Sequence, residues 1–310
     1  MKALVYGSLN IDLVFSVDHI VRPGETIGSG NLERGAGGKG ANQAAALAKA
    51  GLETFMAGKI GADGEFLLEL LQSYGVNTDL VARYGGATGQ ALIQLDSVRQ
   101  NAIVLFPGGN ARIEAPEIRR CLEGFGPGDL VLLQNEINCT AEIMRAAKER
   151  GISIGLNPSP CDEGIAKLPL ELADTLFVNE IEGAALAAYS GPAGAAEPSG
   201  TGAGDGFGER IYRDILEALV GKFPAAEIIL TAGRAGAFYG FGEKRARGNI
   251  TEVPVADTTA AGDTFTGYFI AGRARGFSVE KTLALACKAA SIAVSRKGAM
   301  PSIPFAEEVF

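Results

Sequence analysis

Asp263 stands in the run Asp257-Thr258-Thr259-Ala260-Ala261-Gly262-Asp263-Thr264-Phe265-Thr266-Gly267, where small residues lead into a helix-favouring pattern. At such a junction the first N–H groups of the helix have no partner within it, and the helix dipole is positive. Ala260, Ala261, Gly262 and Asp263 would therefore present successive amides around a space suited to an anion. Phosphoryl transfer needs positioning, charge stabilisation and one group to take the proton of the attacking hydroxyl. A carboxylate beside bare amides meets these needs, which makes Asp263 the candidate general base and 260–263 the candidate anion hole. The plainer reading is that Asp263 only caps its helix.

A second run, Gly35-Ala36-Gly37-Gly38-Lys39-Gly40-Ala41-Asn42-Gln43, also opens a helical pattern. Glycines let the backbone approach a ligand without a Cβ in the way. Lys39 and Asn42 add donors for hydroxyls. The run lacks a glycine at 33 and has Gly40 after the lysine, so it is not a Walker loop; a tight turn before a packed helix is the alternative. Asn179-Glu180-Ile181-Glu182 follows an apolar run and puts Asn179 and Glu182 on one helix face, where they could hold Mg²⁺ through water. Helix starts often carry these residue types for capping alone. Thr231-Ala232-Gly233-Arg234-Ala235-Gly236 is a glycine turn suited to a nucleotide. Asp205, in Gly202-Ala203-Gly204-Asp205-Gly206-Phe207, imitates Asp263 but follows Pro/Gly-rich coil and has Ser199, not an acid, six residues earlier.

The elements that must position these residues follow from the apolar pattern. Ala3–Tyr6, Thr54–Lys59, Leu130–Gln134, Ile152–Leu156, Thr175–Val178 and Ile228–Thr231 are short continuous apolar runs, as expected of parallel strands covered on both faces. Helix-period segments alternate with them at 42–50, 63–74, 140–150, 180–189, 208–222, 263–274 and 279–295. The expectation is one α/β domain over 1–310, with a mostly parallel central sheet and helices on both faces. Ligands in such sheets lie beyond the carboxyl ends of the strands. Residues 11–33 and 88–106 instead alternate apolar and polar, which suits a small antiparallel sheet projecting as a lid. Its open face would carry Ile11, Leu13, Phe15, Ile93 and Leu95, and would pair two copies as a homodimer. The run 190–206, rich in Gly, Ala and Pro, reads as a surface excursion.

Composition narrows the chemistry. The 310 residues are 47% hydrophobic and carry a net charge of −8, which disfavours nucleic acid and anionic membranes as partners. No stretch approaches the length of a membrane span, and the opening residues do not read as a signal peptide, so a cytoplasmic location is expected. The four cysteines form no C-x-x-C pair. His19 is the only histidine, which leaves no room for a multi-histidine metal site and makes a Ser-His-Asp triad depend on that one residue. Carboxylates, Lys, Asn and backbone dipoles must do the work.

Taken together and in this order, these residues resemble the ribokinase-like carbohydrate kinase family over nearly the whole chain. Gly37 to Ala44 looks like its sugar-side signature, Asp257 to Gly267 like its ATP-side signature, and Asn179 to Glu182 like its N-x-x-E magnesium motif. Gly7-Ser8-Leu9-Asn10-Ile11-Asp12 is similar to the family opening in which Asn and Asp bind sugar hydroxyls. The resemblance implies sugar contacts from Asn10, Asp12, Gly38, Lys39, Asn42 and Glu136, with Asp263 as base and Gly262 beside it in the anion hole. It implies nucleotide contacts from Asn179, Thr231, Gly233 and Gly236, and it places Cys287 where the family often has a histidine near adenine. Ala293 to Ser302 resembles a segment that closes with Asp257 and Thr259 around potassium. There Asp257 would give a carboxylate, Thr259, Ala293, Arg296 and Gly298 carbonyls, and Ser302 its side chain or carbonyl. The implied reaction is phosphorylation of D-ribose by ATP with Mg²⁺ and K⁺. A related acceptor, whether another sugar, a sugar acid or a nucleoside, is the alternative, and a non-catalytic sugar sensor is a rival of another class.

Overall fold

The computed structural model describes residues 1–98, 100–188 and 207–310. The chain runs β1 (Ala3–Tyr6), β2 (Asn10–Ser16), β3 (Asn31–Gly37), α1 (Lys39–Lys49), β4 (Thr54–Ile60), α2 (Glu65–Ser73), β5 (Asn77–Arg83), β6 (Gly89–Leu95), β7 (Asn101–Phe106) and α3 (Ala115–Leu122). It continues through β8 (Leu130–Gln134), α4 (Thr140–Glu149), β9 (Ser153–Asn157), β10 (Thr175–Asn179) and α5 (Glu180–Ala188). After 206 come α6 (Phe207–Lys222), β11 (Glu227–Thr231), β12 (Ala237–Phe241), β13 (Lys244–Gly248), α7 (Ala261–Ala274), α8 (Val279–Val294) and α9 (Ala306–Val309). The 190–206 excursion, Asp205 included, lies outside the described residues.

Among the described residues the large sheet has the order β13-β12-β11-β10-β9-β8-β1-β4-β5, and β2, β3, β6 and β7 form a separate sheet. The large sheet is parallel from β5 to β11; β12 and β13 add antiparallel to its edge. Alternate residues of one strand feed opposite layers. Ala3 and Val5 join a core with Leu47 of α1, Leu71 of α2, Phe269 of α7 and Leu283 of α8, whereas Leu4 and Tyr6 join Ile118, Ile143 and Leu219 on the other side. From β1 the chain builds outward through β4 and β5, then returns to build outward on the other side from β8. The switch point therefore falls between β1 and β8, where an open α/β sheet leaves its crevice. No described helix is long and apolar enough to cross a membrane.

The lid sheet departs from expectation in one pairing, since β2 runs parallel to β6 and not antiparallel, and in its faces. Ile11, Leu13 and Phe15 pair with Gln90, Leu92 and Gln94, and Phe15 also pairs with Leu32. Ile93 and Leu95 pair with Val14 and Ser16, so they share the other face with Asn10 and Asp12. Side chains alternate sides along a strand, so the residues expected on one open face are split between two. Ile11 is buried in the core. β3 runs past 33 to Gly37, where a Cβ would overlap the Asp12 carboxylate.

Candidate active site

The switch point is closed by hydrogen bonds between distant segments. The Ser8 hydroxyl donates to the Glu136 carboxylate. The same carboxylate accepts from the Lys39 amide at 3.2 Å, and Ser8 Oγ accepts from the Gly40 amide at 3.2 Å. Ala41 N donates to Ser8 O at 3.0 Å. The start of α1 thus spends its amides on Ser8, just after β1, and on Glu136, beyond the end of β8. Gly40 is required here because a Cβ would come 2.7 Å from Gly7 Cα. Gly38 takes φ +93, a conformation costly for any other residue. What remains for a ligand is the Lys39 side chain and Asn42 Oδ1, which is buried with no hydrogen-bond partner among the described residues. Burial pushes the Lys39 ammonium down, but the carboxylates of Asp263, Glu136 and Glu182 outweigh that and leave it raised.

Asp263 is buried at the start of α7. Ala260, before it, adopts a left-handed φ of 59, which turns the loop into the helix. The Ala261 amide is taken by Thr258 O at 3.3 Å, while those of Ala260, Gly262 and Asp263 have no acceptor among the described residues. Among the described residues, a Cβ placed on Gly262 would meet nothing within 4 Å. Asn42 Nδ2 donates to Asp263 Oδ2 at 3.0 Å and Gln43 Nε2 to Asp263 Oδ1 at 2.9 Å. The two glycine-rich runs, far apart in sequence, therefore meet through one carboxylate. Their helices can come this close because Gly267 of α7 lies against Ala46 of α1.

The lid supplies the remaining sugar-side candidates. Asn10 is buried, and its Oδ1 accepts from Asn110 Nδ2 at 2.7 Å; Asn110 Oδ1 in turn accepts from Leu9 N at 3.1 Å. Burial, and then the charge of Glu136, push the Asp12 carboxyl up to about 7. Burial also raises Glu136, against the lowering effects of Lys39 and Ser8. Two carboxyls that ionise reluctantly side by side suit neutral polyol hydroxyls better than a second anion. Ser8, Gln43, Asn110 and Asn157 escaped the sequence reading as site residues. The turn Pro107-Gly108-Gly109-Asn110 after an alternating strand was a usable signal for Asn110.

The nucleotide-side candidates are more dispersed. Asn179 N donates to Glu182 Oε2 at 3.0 Å and Glu182 N to Asn179 Oδ1 at 2.8 Å, a reciprocal cap on α5. Thr231 ends β11, and Gly233 and Gly236 both have positive φ; a Cβ on Gly236 would overlap Gly248 O. Cys287 is 1% exposed in the core, and its Sγ lies 3.0 Å from where a Gly248 Cβ would stand, so it presents no open surface to a base. Burial pushes its thiol up to about 12.

The segments expected to close around potassium do meet. Asp257 Oδ1 accepts from Thr259 N at 2.9 Å and Oδ2 from Gly298 N at 3.1 Å. Ala293 O accepts from Arg296 N at 3.0 Å, and Ser302 Oγ donates to Ala299 O at 2.7 Å. The Arg296 guanidinium pairs with Glu308. Among the described residues no group of three or more His, Cys, Asp or Glu could hold a metal, so a cation here would depend on carbonyls.

Comparison with known proteins identifies the family and the fold. The pfkB family carbohydrate kinase pattern matches residues 1–306. The ribokinase of Haemophilus influenzae is 31% identical over 312 residues, covering 98% of this chain and 95% of that protein. The ribokinase of Cryptococcus neoformans in complex with ADP is 34% identical, with a TM-score of 0.83 over 99% of this chain and 98% of that one. The ribokinase of Arabidopsis thaliana complexed with ribose and ATP gives a TM-score of 0.84 at 30% identity, over 99% and 97% of the two chains. The chain belongs to the pfkB family of carbohydrate kinases.

Proposed function

We propose that this kinase transfers the γ-phosphoryl group of ATP to the primary hydroxyl of D-ribose, giving ribose 5-phosphate and ADP. The observation that carries the reading is Asp263, held at 2.9 and 3.0 Å by side chains of the sugar-side helix while standing at the open start of α7. Asn10, Asp12, Lys39, Asn42 and Glu136 would orient the sugar between lid and body, with Gly38 giving the close backbone approach. The C5 hydroxyl oxygen attacks the γ-phosphorus, its proton passes to Asp263, and the bond to the bridging oxygen breaks to release ADP. The free amides at 260, 262 and 263 would balance the charge on the transferring group. The nucleotide would lie along the ends of β10 and β11, against Asn179, Thr231, Gly233 and Gly236.

Mg²⁺ on the phosphates would neutralise their charge, and Asn179 and Glu182 would reach it through water. The cap on α5 leaves Glu182 Oε1 outside its bonds, an oxygen donor of the kind Mg²⁺ prefers. K⁺ would be held by Asp257 and Ser302 with the carbonyls of Thr259, Ala293, Arg296 and Gly298. This donor set is hard oxygen throughout, and the Asp257 bridge to Gly298 already joins the two segments. The cation would stiffen the loop that ends in the anion hole.

ADP release measured over ribose, 2-deoxyribose, fructose, ketodeoxygluconate and adenosine, with and without K⁺, tests the reading. Ribose is expected to give the highest kcat/KM, with K⁺ raising it. A better rate on another acceptor reassigns the substrate, and ribose binding without ADP formation removes the catalytic assignment.

A further inference from the structure

Gln43 is fully buried, and each polar position of its amide is used. Nε2 donates to Asp263 Oδ1 at 2.9 Å and to Asn157 Oδ1 at 3.1 Å, while Oε1 accepts from Gln134 Nε2 at 2.6 Å. The orientation is not arbitrary. Asn157 Nδ2 donates to Phe177 O at 2.9 Å, and a backbone carbonyl can only accept. Asn157 must then turn its oxygen toward Gln43, which must present its nitrogen. That nitrogen has two protons, and the second points at Asp263. Strands β8, β9 and β10 thus fix, through three amides, the direction from which a donor meets the carboxylate.

We infer that Gln43 is a positioning residue for Asp263: the Gln134–Gln43–Asn157 relay holds the carboxylate in the orientation that accepts the hydroxyl proton. The inference rests on Asp263 being the base. Asn42 grips the other carboxylate oxygen at 3.0 Å but comes from the same helix, so it moves with α1. Among the described residues, Gln43 alone ties Asp263 to the central sheet through the hydrogen bonds the carboxylate makes.

A double-mutant cycle with Asp263→Asn tests this with ribose as acceptor. Asp263→Asn alone is expected to lower kcat by ~10²–10⁴, the range for a lost general base. Near-normal turnover there would remove the base assignment itself and leave the relay no base to position. Gln43→Met keeps the length and drops the donors. It is expected to lower kcat by about tenfold with KM for ribose within about twofold, and to add nothing in the Asp263→Asn background, because residues acting through one group are not additive. Equal losses in both backgrounds, or an unchanged kcat in Gln43→Met while Asp263→Asn is impaired, would overturn the inference and leave the base in place. If Gln43→Met does not fold, Asn157→Leu, which spares both donors to Asp263 but frees Gln43 to turn, is read in the same cycle against the same outcomes.

Discussion

Asp12 owes its reluctance to ionise to its place between the lid strand β2 and the body, where it loses water before it meets the charge of Glu136. Its pKa moves from an ordinary 3.8 to about 7 in the folded protein. A raised folded-state pKa means that the native state binds the proton more tightly than the unfolded one. The stabilisation is complete below about pH 4 and is lost as pH rises through about 7. At one pH unit per about 1.4 kcal/mol, the loss is roughly 2–4 kcal/mol once partial exposure is allowed for. Asp12→Asn, which cannot ionise, should therefore gain on the wild type as pH rises from 5 to 8. Thermal melts at constant ionic strength read this directly; parallel curves for the two proteins would mean that Asp12 ionises normally.

At the scale of elements, the site depends on how closely α1 and α7 approach. A Cβ on Gly267 would stand 2.9 Å from the Ala46 backbone carbon, a contact that cannot be relieved by turning a side chain. Gly267→Ala should cost about 1–3 kcal/mol by overpacking and lower turnover by drawing Asp263 away from Asn42 and Gln43. Gly221 in α6, where a Cβ meets nothing within 4 Å, is the contrast: Gly221→Ala should be neutral or stabilising by about 0.5–1 kcal/mol. Equal effects of the two substitutions on melting would show that the α1–α7 contact is loose. Most of these elements were legible in the sequence. The interior strands β1, β4, β8, β9, β10 and β11 are continuous apolar runs, and their observed bounds fall within two residues of the expected ones. β13 was not legible because Lys244-Arg245-Ala246-Arg247-Gly248 has no apolar run; it needs none, since it is an edge strand and charge protects an edge. The same division holds in the site. Asp263, Lys39 and Asn42 lie in glycine-rich helix starts and announce themselves locally. Gln43 and Asn157 become partners only across 114 residues, and a spacing like that has no local signature.

For the whole molecule, the lid poses the question of what covers it. Its register puts apolar residues on both faces: Leu32, Leu92, Val104 and Phe106 are exposed on one, Ile103 and Leu105 on the other. Exposed apolar side chains on both sides of one small sheet, with Ile103–Phe106 along a free edge strand, are unfavourable in water and promote pairing between chains. The body of the same chain covers the base of the lid, where Ile11 and Leu13 reach the core, and leaves these outer residues exposed. The expectation is a homodimer through the lid sheets. Sedimentation should give about twice the 32.0 kDa chain mass. Val104→Lys and Leu105→Lys, made separately, place a charge on opposite faces of β7, and the one on the pairing face should halve that mass. Because the lid also carries Asn10 and Asp12, the monomeric variant should bind sugar less well, with KM raised more than kcat is lowered. A wild-type chain that sediments at the mass of one copy, or a dimer that survives both substitutions, would move the interface elsewhere.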